Sequence, residues 1–335
     1  MKKSFPLLST LGALTALLAA ASAAELPTWA FPVEPPRPPR TPAAPGATPP
    51  APRPAPAPAA PLRVPDSTVE YQRSQMGRAK GPVPDWHPGD HPEMPEIVKM
   101  GREPQVWACG YCHTPTGAGR PENAGIAGLS ANYIKQQVLA FKNGERPGSE
   151  PKRGPQNNMI LLVKDITDAE IDQAAAYFSS LKPQTFMKVV EAETVPKTIV
   201  VGAILAKAPG GGTEPIGNRI IEVPEELERF ENRDARTPYE VYVPVGSLKR
   251  GAELANTGGG GKTQQCFICH GPGLKGMADV PRLAGRSPSY LMRQLYDVKN
   301  GGRTGASTAL MKIVVANLDN DDMLALSAYI ASLEP

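Results

Sequence analysis

Cysteine is nearly absent from this chain. Its 335 residues include four, all of them inside Cys109-Gly110-Tyr111-Cys112-His113 and Cys266-Phe267-Ile268-Cys269-His270. Histidine is equally scarce, and two of the four histidines close those same motifs. Charge of one sign is also lacking. Lys and Arg number 36 against 33 Asp and Glu, which excludes nucleic acid as a partner. Beyond the N-terminus no apolar run is long enough to span a bilayer. The N-terminus itself has Lys2 and Lys3, an apolar run from Phe5 to Ala20, and small residues at Ala21-Ser22-Ala23. This reads as an export signal over 1–23, cleaved after Ala23, with an uncleaved membrane tether as the alternative. The mature chain is then periplasmic or extracellular, where free thiols do not persist. The four cysteines must therefore be disulfides, metal ligands or covalently modified.

Proline is abundant by contrast. Between Pro27 and Pro65 lie 16 of the 39 prolines, mixed with Ala and with Arg37, Arg40, Arg53 and Arg63. With no apolar periodicity such a stretch builds no core. The expectation for 24–65 is a disordered, extended linker, either a solvated spacer or a tether for the folded part.

The rest of the chain repeats itself. At an offset of 157, Cys109, Cys112 and His113 fall on Cys266, Cys269 and His270, and residues 126–148 lie over 283–305. Gly128 meets Gly285, Tyr133 meets Tyr290, and Gln137 meets Gln294. Further on, 159–181 lies over 311–333 at an offset of 152. Each copy reads as helical. A helix precedes each motif, near Pro95 and over 247–255. A middle helix is capped by Ser130 in one copy and by Ser287, followed by Pro288, in the other, ending at Gly144 and Gly301. A last helix opens on the capping box Thr167–Glu170, or on Asp319. Its buried stripes are Ile171, Ala174, Ala175, Phe178 and Leu181, and Met323, Leu326, Ile330 and Leu333. The fold class expected is all-α: module 1 over 66–183, a connecting segment over 184–245, and module 2 over 246–335.

Two cysteines three apart share one helical turn and point the same way. A histidine beside the second completes the pattern for covalent haem c attachment, with thioethers from Cys109, Cys112, Cys266 and Cys269 and iron ligation by His113 and His270. A redox disulfide needs no histidine and usually sits in a βαβ setting. A zinc site would have to join two pairs that belong to separate copies. Of ten methionines, only Met159 and Met311 occupy equivalent places in the two copies. Each follows the middle helix and precedes the cap of the last one, far enough along to reach the opposite haem face. They are the expected sixth ligands.

Each module resembles a class I cytochrome c, and the pair resembles the dihaem cytochromes built of two fused class I modules, the cytochrome-c-four type. The resemblance covers 95–181 and 247–333. It implies two covalently bound haem c groups and a carrier of single electrons rather than an enzyme, with periplasmic redox proteins or membrane respiratory complexes as donor and acceptor. It also implies that the Pro281 carbonyl holds His270, with Ala124 standing at that place in the first copy. The alternatives are a haem enzyme of peroxidase or thiosulfate-oxidising type, and the electron-accepting subunit of a periplasmic dehydrogenase.

Three features remain. His87 and His91 lie in a stretch broken by Pro88, Gly89 and Pro92, and read as surface loop histidines. Trp86 and Trp107 read as cover for the first haem. The connecting segment is acidic, with ten Asp and Glu against seven Lys and Arg over 183–245. Short strands are expected in 197–205 and 218–223, and a charged patch or short helix in 224–234. The segment is expected to pack the two modules into one rigid pair.

Overall fold

The computed structural model describes residues 25–36, 60–76 and 82–335. The export signal expected over 1–23 and the proline-richest stretch, 37–59, lie outside the described residues. Eleven α-helices and nine short strands are present among those described.

The first module runs through α1 (Glu96–Lys99), the strand pair β1 (Gly101–Arg102) and β2 (Val106–Trp107), and α2 (Cys109–His113). Then come α3 (Ala131–Lys142), α4 (Gly154–Leu162) and α5 (Asp168–Ser180). The caps fall where the sequence places them. Ser130 accepts from the Tyr133 amide, and Thr167 and Glu170 close a reciprocal capping box. The α5 stripe of Ile171, Ala174, Ala175 and Phe178 is buried against Ile134 and Val163.

The second module repeats this order. Its helices are α7 (Ser247–Thr257), α8 (Phe267–His270), α9 (Pro288–Asn300), α10 (Ala309–Val315) and α11 (Asn320–Ala331). Helix α9 starts at its Ser287 cap and stops at Gly301, whose φ of 84° only glycine adopts without strain. Helices α7 and α11 touch at Gly251, where a Cβ would stand 2.1 Å from the Ala325 carbonyl oxygen. That close approach replaces the interdigitated side chains of an ordinary crossing. Helices α4 and α10, which carry Met159 and Met311, are not foreseen by the caps or stripes of the sequence.

Residues 184–245 contain more β-structure than two isolated strands. They form β3 (Met187–Glu191), β4 (Thr194–Pro196), β5 (Thr198–Val201), β6 (Ile204–Lys207), β7 (Thr213–Pro215), β8 (Ile221–Pro224), the helix α6 (Leu227–Glu231) and β9 (Tyr239–Val243). The stretch 197–205 is a β5–β6 hairpin rather than one strand. Strand β9 is central, parallel to β3 and antiparallel to β8. Its alternate residues are buried, and Val241 and Val243 enter the core of the second module.

This segment holds both modules. The Trp86 indole donates to the Asn232 carbonyl at 2.7 Å, and Arg120 donates to Phe230 at 3.0 Å. On the other side Glu222 accepts from the Ser287 hydroxyl at 2.8 Å and from the Ser289 amide at 3.2 Å, at the start of α9. The reading of His87 and His91 as surface loop histidines is corrected. His87 is buried, its Nε2 3.0 Å from the Asp234 carboxylate. His91 lies 3.1 Å from Asp85. Asp234 arrives from the connecting segment, a partner that no local pattern reveals. Trp86 packs with Tyr71, Val64 and Met76, and Trp107 lines the first cavity.

The modules also meet directly, through repeated residues. Arg146 and Arg303 are equivalent at the offset of 157. Each bonds the glutamine of its own copy and that of the other. Arg146 donates to Gln137 at 3.1 Å and Gln294 at 2.8 Å, and Arg303 to Gln294 at 3.0 Å and Gln137 at 2.7 Å. Backbone bonds from Gly148 to Gly302 at 2.8 Å and from Thr304 to Glu145 at 2.7 Å flank them. The seam is thus nearly isologous, as between two copies of one subunit.

The linker expected over 24–65 is corrected at both ends. Trp29, Ala30 and Phe31 are buried in the core of the second module, with Phe31 edge-on to Tyr296 at 5.6 Å and Ala30 accepting from Arg293 at 2.8 Å. Val64 is buried beside Trp86 on the first module. Local composition marks these residues as linker; only the distant core shows what they cover.

Phe31→Ala is expected to destabilise the second module by about 3 kcal/mol, the usual cost of emptying a buried aromatic site, in denaturant unfolding. Burial raises the Glu222 carboxyl above its ordinary pKa despite its hydrogen bonds. A carboxyl raised by folding contributes least once ionised, so stability declines as pH rises from the unfolded value through the folded one. Glu222→Gln should flatten that decline above about pH 4. Parallel pH profiles for the two proteins would contradict the assignment.

Candidate haem-binding sites

In the first module, α2 is a single turn that carries Cys109, Cys112 and His113, and it packs against α1. All three side chains line one cavity of about 170 Å³, and Met159, brought by α4, lines it as well. Apolar residues complete the walls, among them Ile134, Val138, Leu162 and Phe178. The Nδ1 of His113 is 2.8 Å from the Ala124 carbonyl oxygen. A carbonyl can only accept, so Nδ1 carries the proton and Nε2 is the nitrogen available to a metal. Burial is the main cause holding this imidazole below its ordinary pKa, so it stays neutral. The Cys109 thiol is pushed up to about 12, chiefly by burial. This donor set fits haem c: two thiols one turn apart, a neutral imidazole with a fixed tautomer, a thioether, and an apolar enclosure.

The second module repeats the hold on the histidine, while its Cys269 is exposed. His270 Nδ1 is 2.8 Å from the Pro281 carbonyl oxygen. Alanine and proline therefore hold their histidines at the same distance, because the bond is made by backbone. Cys266 and Met311 are half-buried and pack against the same core. Burial holds His270 down and pushes Cys266 up to about 11.

The two attachment helices differ in their cover. Tyr111 is 8% exposed, whereas Phe267 and Ile268 are 43% and 56% exposed. The cause is the connecting segment: the Arg233 guanidinium lies 3.5 Å over the Tyr111 ring and donates to the Tyr111 carbonyl at 2.6 Å. The second module adds Arg286, from the loop just before α9, and Arg293 and Asp297 of α9 to the wall of the first cavity, and Phe31 adds to it too. The arginines that reach the seam escaped the sequence reading. The equivalence of Arg146 and Arg303 in the repeat was the signal that could have found two of them.

Fold and site together define a two-module c-type cytochrome. The Cytochrome c family model matches residues 248–334, most of the second module. Cytochrome c-554(548) of Halomonas halodenitrificans is 34% identical over 74 residues, which cover 22% of this chain and 89% of that protein. Cytochrome c4 of Azotobacter vinelandii is 26% identical over 230 residues, 67% of this chain and 84% of the relative. The thiosulfate dehydrogenase electron acceptor of Thiomonas intermedia is 25% identical over 235 residues, 68% and 80% of the two chains. The chain belongs to the cytochrome c family. Its similarity to cytochrome c4 extends over both modules, and its cofactor is covalently bound haem c, one for each motif.

Proposed function

We propose that this chain relays single electrons between redox proteins of the periplasm, with haem joined to Cys109 and Cys112 in one module and to Cys266 and Cys269 in the other. His113 and Met159 would hold the iron of the first haem, and His270 and Met311 that of the second. The observation that carries this reading is the convergence of two thiols, a neutral imidazole and a thioether on one apolar cavity. Bound there, haem supplies reversible one-electron exchange.

The residues hold and insulate it. The thiols anchor it covalently, the carbonyls of Ala124 and Pro281 fix the histidine tautomers, and the apolar walls exclude water. Methionine, a soft ligand, favours the reduced state and raises the potential. With a histidine and a methionine each holding the iron, no position would be left for substrate, which favours a carrier over a peroxidase or a thiosulfate-oxidising enzyme. The relatives named as thiosulfate dehydrogenase electron acceptors support a periplasmic dehydrogenase as one donor. The export signal read in the sequence supports the periplasm, and no helix among the described residues is long and apolar enough to cross a membrane.

Expressed with a working haem-attachment system, the denatured protein should keep the mass of two haems. Cys109→Ala or Cys266→Ala should weaken attachment in one module only. A wild-type mass equal to the bare polypeptide would end this reading.

Met159→Ala and Met311→Ala should each open one iron to added ligands and lower one step of the redox titration. Each should also remove about half of the iron–thioether charge-transfer absorption of the oxidised protein, since each haem contributes one methionine ligand. An unchanged band in both variants would assign the sixth ligand elsewhere.

A further inference from the structure

Arg286 stands where the two sites meet. The loops 124–129 and 281–286 are equivalent in the repeat, and the first copy has Leu129 where the second has Arg286. In each copy the loop's first residue is the carbonyl acceptor of the histidine, Ala124 for His113 and Pro281 for His270. Arg286 Nη2 donates to the Gly125 carbonyl at 2.9 Å, one residue past Ala124. Its Nη1 reaches the Arg282 carbonyl at 3.5 Å, one residue past Pro281. One guanidinium thus contacts both histidine-holding loops, strongly across the seam and weakly within its own module.

The environment amplifies what such a group can do. Arg286 is 5% exposed and its guanidinium stacks 4.6 Å over the Tyr290 ring. It lines both the first cavity and the smaller gap between the modules. Its Nε has no hydrogen-bond partner. A charge buried away from water is poorly screened, so its field extends to neighbouring groups.

We propose that Arg286 is a positioning residue shared by the two haem sites, tying the His113 loop to the His270 loop and setting one fixed positive charge beside both. The inference rests on the haem reading above. A nearby cation opposes the extra positive charge of an oxidised iron and so raises its potential. A hydrogen bond to the loop next to a ligand's acceptor carbonyl fixes the orientation of that ligand. Arg286 exerts the first effect at both sites from a single residue of the second module. Through the 2.9 Å bond it exerts the second on the first module.

The test uses the full-length holoprotein as wild type, Arg286→Gln and Arg286→Lys, with Arg153→Gln as a comparison. Arg153 is a buried guanidinium that lines the first cavity and donates to the Glu122 carbonyl at 3.2 Å. Mass and oxidised spectra come first. A wild type without two covalent haems fails the functional reading itself, whatever Arg286 does. With two haems present, a redox titration and the paramagnetically shifted proton signals of each haem are recorded.

Arg286→Gln is expected to lower both redox steps and to displace both sets of signals. Arg286→Lys, which keeps the charge and loses the fork, should return both steps toward wild type while the signals of the first haem stay displaced. Arg153→Gln should displace the first set alone. If Arg286→Gln does not accumulate, Arg286→Lys decides through its spectra, where displacement of first-haem signals supports the bridge. Displacement confined to the second haem, or of neither, overturns the proposal, as does an Arg286→Gln titration in which only one step moves.

Discussion

Two guanidinium groups, of the buried Arg146 and the half-buried Arg303, each shared between the glutamines of both copies, fix the relation of the modules. Burying a guanidinium without partners is costly, and burying it with several acceptors in fork geometry is tolerated. The acceptors here are Gln137 and Gln294, which stand at equivalent places in the repeat. Neither module alone supplies both glutamines, so each arginine gains its second acceptor only when the copies are face to face. A repeated sequence thus makes a self-complementary seam, and one chain does what a symmetric dimer does with two.

Much of the remaining architecture follows from that seam. It places α9 of the second module against the first cavity, so the first site is walled by both copies. It leaves an edge at which Trp29, Ala30 and Phe31 are buried, and a flank along which the connecting segment lies from Tyr111 to the start of α9. The first attachment helix is therefore covered and the second stays open at Phe267 and Ile268. Two sites of one chemistry acquire different surroundings because only one of them lies under the added segment.

The legible part of the chain was the part governed by local rules. Ser130, Thr167, Ser287 and Asp319 each cap the helix that the sequence assigns to them, since a cap is a bond between residues two or three apart. The core stripes of α5 and α11 were visible as helical spacing. Met159 was singled out by its place in the repeat, and it does line the cavity with His113. The illegible part depended on partners far away in the chain. His87 was read as an exposed loop residue because Asp234, its partner, lies 147 positions off. Strand β3 was missed because its pairing is parallel and its partner β9 lies beyond six other elements. Trp29 and Phe31 were read as linker because proline surrounds them, and proline-rich composition says nothing of which core a neighbouring aromatic enters.

The sequence by itself determined the chemistry: two copies of a motif that places two thiols and an imidazole on one turn, each followed by a methionine at an equivalent place. Thioether attachment would need only the thiols and the imidazole on one turn, so spacing is enough to propose it. Tertiary structure alone decided how the two copies differ. Which attachment helix is covered, which site borrows a wall from the other module, and the place of Arg286 between the two histidine loops all depend on contacts between residues more than 100 positions apart. Such contacts arise when whole surfaces are buried against distant ones, and a local pattern can mark a buried face but not the partner that covers it.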